Sequence, residues 1–373
     1  MDVPFIDLKA QYERIESDVN AGIKRVLEHG KYIMGPEIVE FETKLAEFCG
    51  AKHAISCSNG TDALSLGLMA YDVGPGDAIF TTPFTFFATA EVIALTGATP
   101  VFVDIDSRTF NICPEQFQQQ VDRVVSEGKL KPRGVMPVNL FGLAPDFDAI
   151  DDVAKKFGMF VIEDTAQGFG GEYKGRISGS LGDISSTSFF PAKPLGCYGD
   201  GGAVFTSDDD LAEKMRSLRV HGQGVDKYDN VRVGLNARFD TMQAAIMLPK
   251  LEIFPSEIEL RQKVAGNYEV ALSDLVETPF VPEDYKSVWA QYSVLSDQRA
   301  EIQTALKDAG IPSVIYYRVP CHLSKAFEYL GYKPGDMPES ERASQRIFSL
   351  PMHPYVKDDF PEQVAQIIEA TIK

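Results

Sequence analysis

Met159-Phe160-Val161-Ile162-Glu163-Asp164-Thr165-Ala166-Gln167 is an apolar run closed by an acidic pair and, three residues on, an amide; a stretch of helical spacing, Phe147 to Phe157, comes just before it. The run reads as a buried, central strand, because a continuous apolar stretch of this length suits a strand covered on both faces. Working outward, similar β-branched and aromatic runs occur at His53 to Cys57, Ala78 to Thr81, Pro100 to Asp104, Gly134 to Val138, Ser185 to Phe190 and Gly202 to Thr206. Stretches of helical spacing lie between several of them, at Asp62 to Tyr71, Phe86 to Leu95 and Pro114 to Ser126. This alternation predicts an α/β fold with a mostly parallel seven-stranded sheet and helices on both faces. From Ala237 to about Leu275 the chain reads as one long helical stretch, with a kink or break expected at Pro249 and Pro255. Beyond it, Val288 to Leu295 suggests a strand, Ala300 to Ala309 a helix ended by Gly310, and Pro361 to Ile372 a terminal helix. The expected division is a large α/β domain over 1–250 and a small α+β domain over 251–373, with no internal repeat.

Composition narrows the function. The 373 residues are 44% hydrophobic and 24% charged, a globular balance, and their net charge is −18. Such a field repels phosphate backbones and anionic membrane surfaces, so neither nucleic acid nor membrane is an expected partner. An anionic ligand must be held by local amides and a few placed cations. The longest uncharged stretch, Ala78 to Ala90, has 13 residues, short of the roughly 18 that a spanning helix needs. Met1 to Asp7 lacks the basic and apolar regions of a secretory signal, so a cytoplasmic protein is expected. Five cysteines without a C-x-x-C pair suit neither a disulfide framework nor a zinc ribbon.

Three segments carry the chemistry. Ser58-Asn59-Gly60-Thr61-Asp62 follows a strand and opens a helix, so free first-turn amides and the Thr61 hydroxyl converge where a phosphate fits; the plainer reading is a turn capped by Thr61 or Asp62. Glu163-Asp164 ends the central strand at the edge where open α/β sheets hold ligands. A protonated pyridine nitrogen would satisfy Asp164, and Gln167 could reach a neighbouring oxygen; the alternative is a strand-end carboxylate capping the next helix. Lys193 stands in Phe189-Phe190-Pro191-Ala192-Lys193-Pro194-Leu195-Gly196, a stiff, partly apolar setting that lowers an amine's pKa and frees it as a nucleophile. Ser188 adds a hydroxyl to the cup of Gly60 and Thr61. In this order an anion cup, a strand-end acid with a nearby amide, and a hindered lysine match what pyridoxal 5′-phosphate needs.

With Phe5-Ile6-Asp7-Leu8, Gly35-Pro36-Glu37, Thr82-Pro83-Phe84-Thr85-Phe86 and Asn236-Ala237-Arg238-Phe239-Asp240 added to these segments, the chain resembles end to end the sugar aminotransferases related to DegT, DnrJ, EryC1 and StrS, of the aspartate aminotransferase fold (fold type I). The resemblance implies that Lys193 binds pyridoxal phosphate covalently, Asp164 pairs with its ring nitrogen, Gln167 lies by its phenolic oxygen and Phe86 stacks on its face. Gly60, Thr61 and Ser188 would bind the phosphate, and Asn236 would reach it from the partner subunit of a homodimer with shared sites. Arg238, also from the partner, would face the anionic part of the substrate. For Phe86 the plainer reading is a core aromatic, and for Arg238 a surface ion pair with Asp240. The implied reaction is ping-pong amino transfer from L-glutamate, leaving 2-oxoglutarate, to a nucleotide-linked keto sugar.

Within the family, Thr187 to Gly202 and Arg232 to Glu252 resemble most the enzymes that aminate C3 of UDP-2-acetamido-2-deoxy-3-oxo-D-glucuronate for bacterial surface polysaccharides. Where those relatives carry His-Tyr-Pro, this chain has Tyr316-Tyr317-Arg318. Tyr317 is therefore a candidate substrate contact, and His322 is the candidate replacement imidazole, against the reading of a lone surface histidine. A dTDP-linked 3-oxo or 4-oxo deoxysugar aminotransferase would share fold and cofactor. A pyridoxal-dependent sugar dehydratase would carry His in place of Lys193. A non-catalytic sensor or assembly protein would have no need of Lys193, Asp164 and Gln167 together.

Overall fold

The computed structural model of the chain describes residues 3–226 and 228–373; Met1 and Asp2 of the N-terminal stretch read above, and Lys227, lie outside the described residues. The strands in chain order are β1 (His53–Cys57), β2 (Asp77–Thr81), β3 (Thr99–Phe102), β4 (Lys131–Met136), β5 (Phe160–Asp164), a short hairpin of β6 (Glu172–Tyr173) and β7 (Arg176–Ile177), then β8 (Ile184–Ser188) and β9 (Gly202–Thr206). Seven of them form one sheet in the order β1-β9-β8-β5-β4-β2-β3, which puts β5 at its centre. Only β9 runs against its neighbours; the other pairings are parallel. β3 lies outside β2 while β4 lies inside it, so the direction of travel reverses at β2, and the loops leaving the carboxyl ends of β2, β4, β5 and β8 border the resulting crevice.

The helices are α1 (Leu8–His29), α2 (Pro36–Cys49), α3 (Gly60–Ala70), α4 (Ala88–Leu95), α5 (Pro114–Glu127), α6 (Phe147–Phe157), α7 (Asp209–Leu218) and α8 (Thr241–Leu272). They cover both faces. Ile79 and Ile162 pack with Leu64, Ile93 and Met215 on one side, whereas the adjacent Phe80 and Val161 pack with Phe117, Phe147 and Ile150 on the other. That is the two-residue period of a strand buried on both faces.

The break expected in the long helix is absent: α8 continues for 32 residues through Pro249 and Pro255. Burial holds it. Pro249 cannot donate to the Ala245 carbonyl, and at that point α1 comes so close that a Cβ on Gly22 would lie 2.9 Å from the Ala245 oxygen. Leu251, Phe254 and Ile258 belong to the cluster under α2. Val264, Tyr268 and Leu272 belong to a second cluster, with β11 (Tyr292–Leu295), β12 (Ile347–Leu350), α9 (Arg299–Asp308) and α11 (Phe360–Ile372). Strand β10 (Tyr285–Lys286) returns to pair with β6, and α10 (Pro338–Arg346) leads into β12. Among the described residues no helix is long and apolar enough to cross a membrane.

Candidate active site

The loop between β1 and α3 forms the first wall. Asn59 caps α3: its side chain accepts from the Asp62 amide at 2.8 Å and its carbonyl from the Ala63 amide at 3.1 Å. The cap is therefore neither Thr61 nor Asp62; the Asp62 carboxylate accepts instead from Ser58 and Asn59. The amides of Gly60 and Thr61, the first two of the helix, have no carbonyl within α3 to bond and stay available to an anion. Ser188, the last residue of β8, closes the cup. A Cβ on Gly60 would lie 2.6 Å from the Ser188 Cβ, so only glycine lets strand end and helix start approach this closely.

Next along the sheet, Asp164 ends β5. It is 4% exposed, accepts from Thr89 Oγ1 at 2.8 Å and from the Ala166 amide at 3.2 Å, and has no ion pair among the described residues. Burial pushes its carboxyl above the ordinary range, against the Thr89 hydroxyl, the Ala166 amide and the Lys193 charge. Lys193 stands at the tip of a closed loop: the Phe189 amide donates to Gly201 at 2.7 Å, the Cys197 amide to Phe189 at 2.7 Å, and the Lys193 amide to Phe190 at 2.8 Å. Burial lowers the Lys193 amine below the ordinary lysine value, while the negative charge of Asp164 works in the opposite direction. An amine so placed gives up its proton more readily than a surface lysine.

Gln167 is buried, accepting from the Phe141 amide at 2.8 Å and donating to Tyr317 Oη at 2.9 Å. Tyr317 packs edge-on against Phe84 with ring centroids 6.1 Å apart, and burial raises its phenol. It thus borders Gln167 directly. Phe86, 58% exposed in the loop after β2, is no core aromatic. Asn236 lies beside the cup loop of its own chain, since Ser58 donates to the Ala237 carbonyl at 3.1 Å. Arg238 does not pair with Asp240. It donates twice to Asn236 Oδ1, at 2.9 and 2.7 Å, and the Asn236 amide nitrogen is that side chain's donor.

Two findings depart from the sequence reading. His322 is 1% exposed, with Nε2 3.1 Å from Glu341 Oε1 and aromatic neighbours Phe102 and Tyr332. It is neither a surface histidine nor open to a sugar, so the candidate replacement imidazole is withdrawn. Thr85 and Thr89, conversely, were missed. Thr89 lies inside the stretch of helical spacing from Phe86 to Leu95 and Thr85 in the turn just before it, and the four-residue spacing of two hydroxyls was the available signal.

One sheet edge therefore brings together an anion cup, a buried carboxylate with no paired cation, and a desolvated amine. This donor set fits a ligand carrying a phosphate, a protonated ring nitrogen and a carbonyl, as pyridoxal phosphate does. The family model for the DegT/DnrJ/EryC1/StrS aminotransferase family matches residues 13–370. The chain is 50% identical over 355 residues to the UDP-2-acetamido-2-deoxy-3-oxo-D-glucuronate aminotransferase of Pseudomonas aeruginosa, covering 95% of this chain and 96% of that protein. A DegT/DnrJ/EryC1/StrS aminotransferase crystal structure from Brucella abortus superposes with a TM-score of 0.96 at 48% identity, covering 99% of both chains. NtdA from Bacillus subtilis, solved with bound cofactor PMP, gives 0.86 at 27% identity over 99% of this chain and 85% of that one. With its fold and this site, the chain belongs to the DegT/DnrJ/EryC1/StrS aminotransferase family and is a pyridoxal-phosphate-dependent transaminase.

Proposed function

We propose that the chain transfers an amino group from L-glutamate to the 3-keto carbon of a UDP-linked keto sugar, UDP-2-acetamido-2-deoxy-3-oxo-D-glucuronate, in building a bacterial surface polysaccharide. The observation that carries the transaminase chemistry is the convergence of Lys193 with the buried, unpaired Asp164. The choice of sugar rests on the 50% identity to the Pseudomonas aeruginosa enzyme.

In this reading Gly60, Thr61 and Ser188 bind the phosphate and Lys193 Nζ holds the cofactor covalently. Asp164 keeps positive charge on the ring nitrogen, Gln167 lies at the ring's edge, and Phe86 covers its face. Pyridoxal phosphate, when bound, supplies the electron sink and the carrier for the amino group. Lys193 Nζ would take the proton from the amino donor's carbon in one half-reaction and deliver a proton to the sugar's carbon in the other, as a desolvated amine is suited to do. Tyr317 orients Gln167 from the substrate side, and Arg238 faces the sugar's carboxylate.

The working unit in this reading is a cytoplasmic homodimer in which Asn236 and Arg238 complete the partner's site. An apolar, exposed surface beside them supports it. The Ile33–Asp240 bridge sets Tyr32, Ile33 and Met34 along the Asn236 segment. These residues are 51%, 46% and 41% exposed, and Phe190 of the Lys193 loop is 51% exposed. A second copy of the chain would remove such a patch from water.

The test loads the enzyme with pyridoxamine phosphate and offers a panel of UDP- and dTDP-linked 3-keto and 4-keto sugars, following the cofactor's absorbance and the aminated product by mass spectrometry. Conversion of the UDP 3-keto uronate well ahead of the others is expected. Preference for a dTDP-linked deoxysugar would overturn the choice of sugar, and conversion of none would overturn the sugar reading altogether.

A further inference from the structure

Thr85, in the loop that leaves β2, and Thr89, in the first turn of α4, stand four residues apart and are 3% and 1% exposed. Thr89 Oγ1 is 2.8 Å from Asp164 Oδ2, and Thr85 Oγ1 is 3.1 Å from Thr89 Oγ1. An ionised carboxylate only accepts, so the Thr89 proton goes to Asp164 and the Thr89 oxygen accepts from Thr85. The direction of the chain is thereby fixed: Thr85 to Thr89 to Asp164. The other carboxylate oxygen takes the Ala166 amide at 3.2 Å. Among the influences that oppose burial at Asp164, the Thr89 hydroxyl comes first, ahead of the Ala166 amide and the Lys193 charge.

A buried acid facing a pyridine nitrogen has two ways to share one proton: a charged pair with the proton on nitrogen, or a neutral pair with the proton on oxygen. Low polarity favours the neutral pair, and donors to the carboxylate favour the charged one. Resting on the reading that Asp164 faces the cofactor's ring nitrogen, we propose that Thr89 is a positioning residue for amino transfer: its hydroxyl, backed by Thr85, holds Asp164 ionised and oriented so that the proton stays on the ring.

The test uses holoenzyme loaded with pyridoxal phosphate labelled with ¹⁵N in the ring, whose chemical shift reports whether that nitrogen is protonated. Thr89→Val keeps the shape and removes the donor; Thr89→Ser keeps the donor. Thr89→Val is expected to move the shift toward the unprotonated position and slow both half-reactions about 10- to 100-fold, the loss of a hydrogen bond to a charged group, with KM little changed. Thr89→Ser is expected to retain the protonated signal and most of the rate. If the valine variant fails to fold, Thr89→Ala reads the same shift. A protonated signal in every donor-free variant that folds overturns the proposal. Asp164→Asn in the same label separates the two levels: if it leaves the nitrogen unchanged, the placement of Asp164 is wrong; if it shifts the nitrogen and the donor-free Thr89 variants do not, only the role of Thr89 falls.

Discussion

Asp164 and Glu163 are neighbours on β5 and so face opposite sides of the sheet. Asp164 turns toward Thr89 and the field of Lys193. Glu163, fully buried, accepts from Asn139 at 2.7 Å, Ser185 at 2.6 Å, and the Gly179 and Leu181 amides at 3.0 and 3.1 Å. One acid borders the candidate site and the other fastens the 179–181 loop. Asp164→Asn is therefore expected to bind cofactor but to slow both half-reactions by about 10² to 10³, the cost of removing a preorganised charge partner. Glu163→Gln is expected to lower stability by about 1.5 to 3 kcal/mol while leaving the rate per folded molecule near wild type. Thermal melts and single-turnover spectra check the pair; interchanged effects would reverse the assignment. The sequence displays the acidic pair at a strand end, and strand alternation separates its faces. His322 was not legible in the same way, because its burial comes from Phe102, Tyr332 and Glu341, none of them its neighbour in sequence.

At the scale of elements, the β1–α3 junction sets the anion cup. Gly60→Ala would bring a Cβ to 2.6 Å from the Ser188 Cβ, pushing strand end and helix start apart. Cofactor affinity is expected to fall about tenfold or more, on the order of 1.4 kcal/mol, with helix content unchanged by circular dichroism; unchanged affinity would remove Gly60 from the cup. Glu37, buried in the first turn of α2, joins α1 through His29 at 3.2 Å and Arg25 at 3.2 Å. Burial raises its carboxyl, but its own backbone amide, His29 and Arg25 outweigh this and hold it below the ordinary 4.5. A lowered acid binds protons less readily folded than unfolded, so its contribution is present above the ordinary carboxylate range and is lost as pH falls through it. Glu37→Gln is expected to flatten the acid side of the plot of Tm against pH; an unaltered slope would contradict that role. Helix α8 shows where element reading fails. Two prolines predicted interruption from local chemistry, yet packing on both clusters carries the helix through them.

For the whole molecule, a net charge of −18 means that phosphate-bearing ligands are held against the general field. In the proposed reading the amides of the cup and the Asn236–Arg238 pair do this locally. The charge and the alternation of strands and helices were legible directly, whereas the converging loops join residues more than a hundred positions apart. If Asn236 serves the partner's phosphate, Lys193→Ala and Asn236→Asp chains should complement when co-folded. With random pairing half the dimers are mixed, each with one intact site, so roughly a quarter of all sites should work. Activity no greater than that of the two single variants, with mixed dimers confirmed by native mass spectrometry, would place Asn236 in its own chain's site.

The most direct test of the site is to find which lysine carries the cofactor. Lys250 is a real competitor: it is 1% exposed, lies 4.3 Å over the Tyr198 ring, and burial lowers its amine to about 8. Holoenzyme reduced with borohydride, digested and mapped by mass spectrometry should carry the cofactor's mass on Lys193 alone; that mass on Lys250, or on any other lysine, would contradict the site.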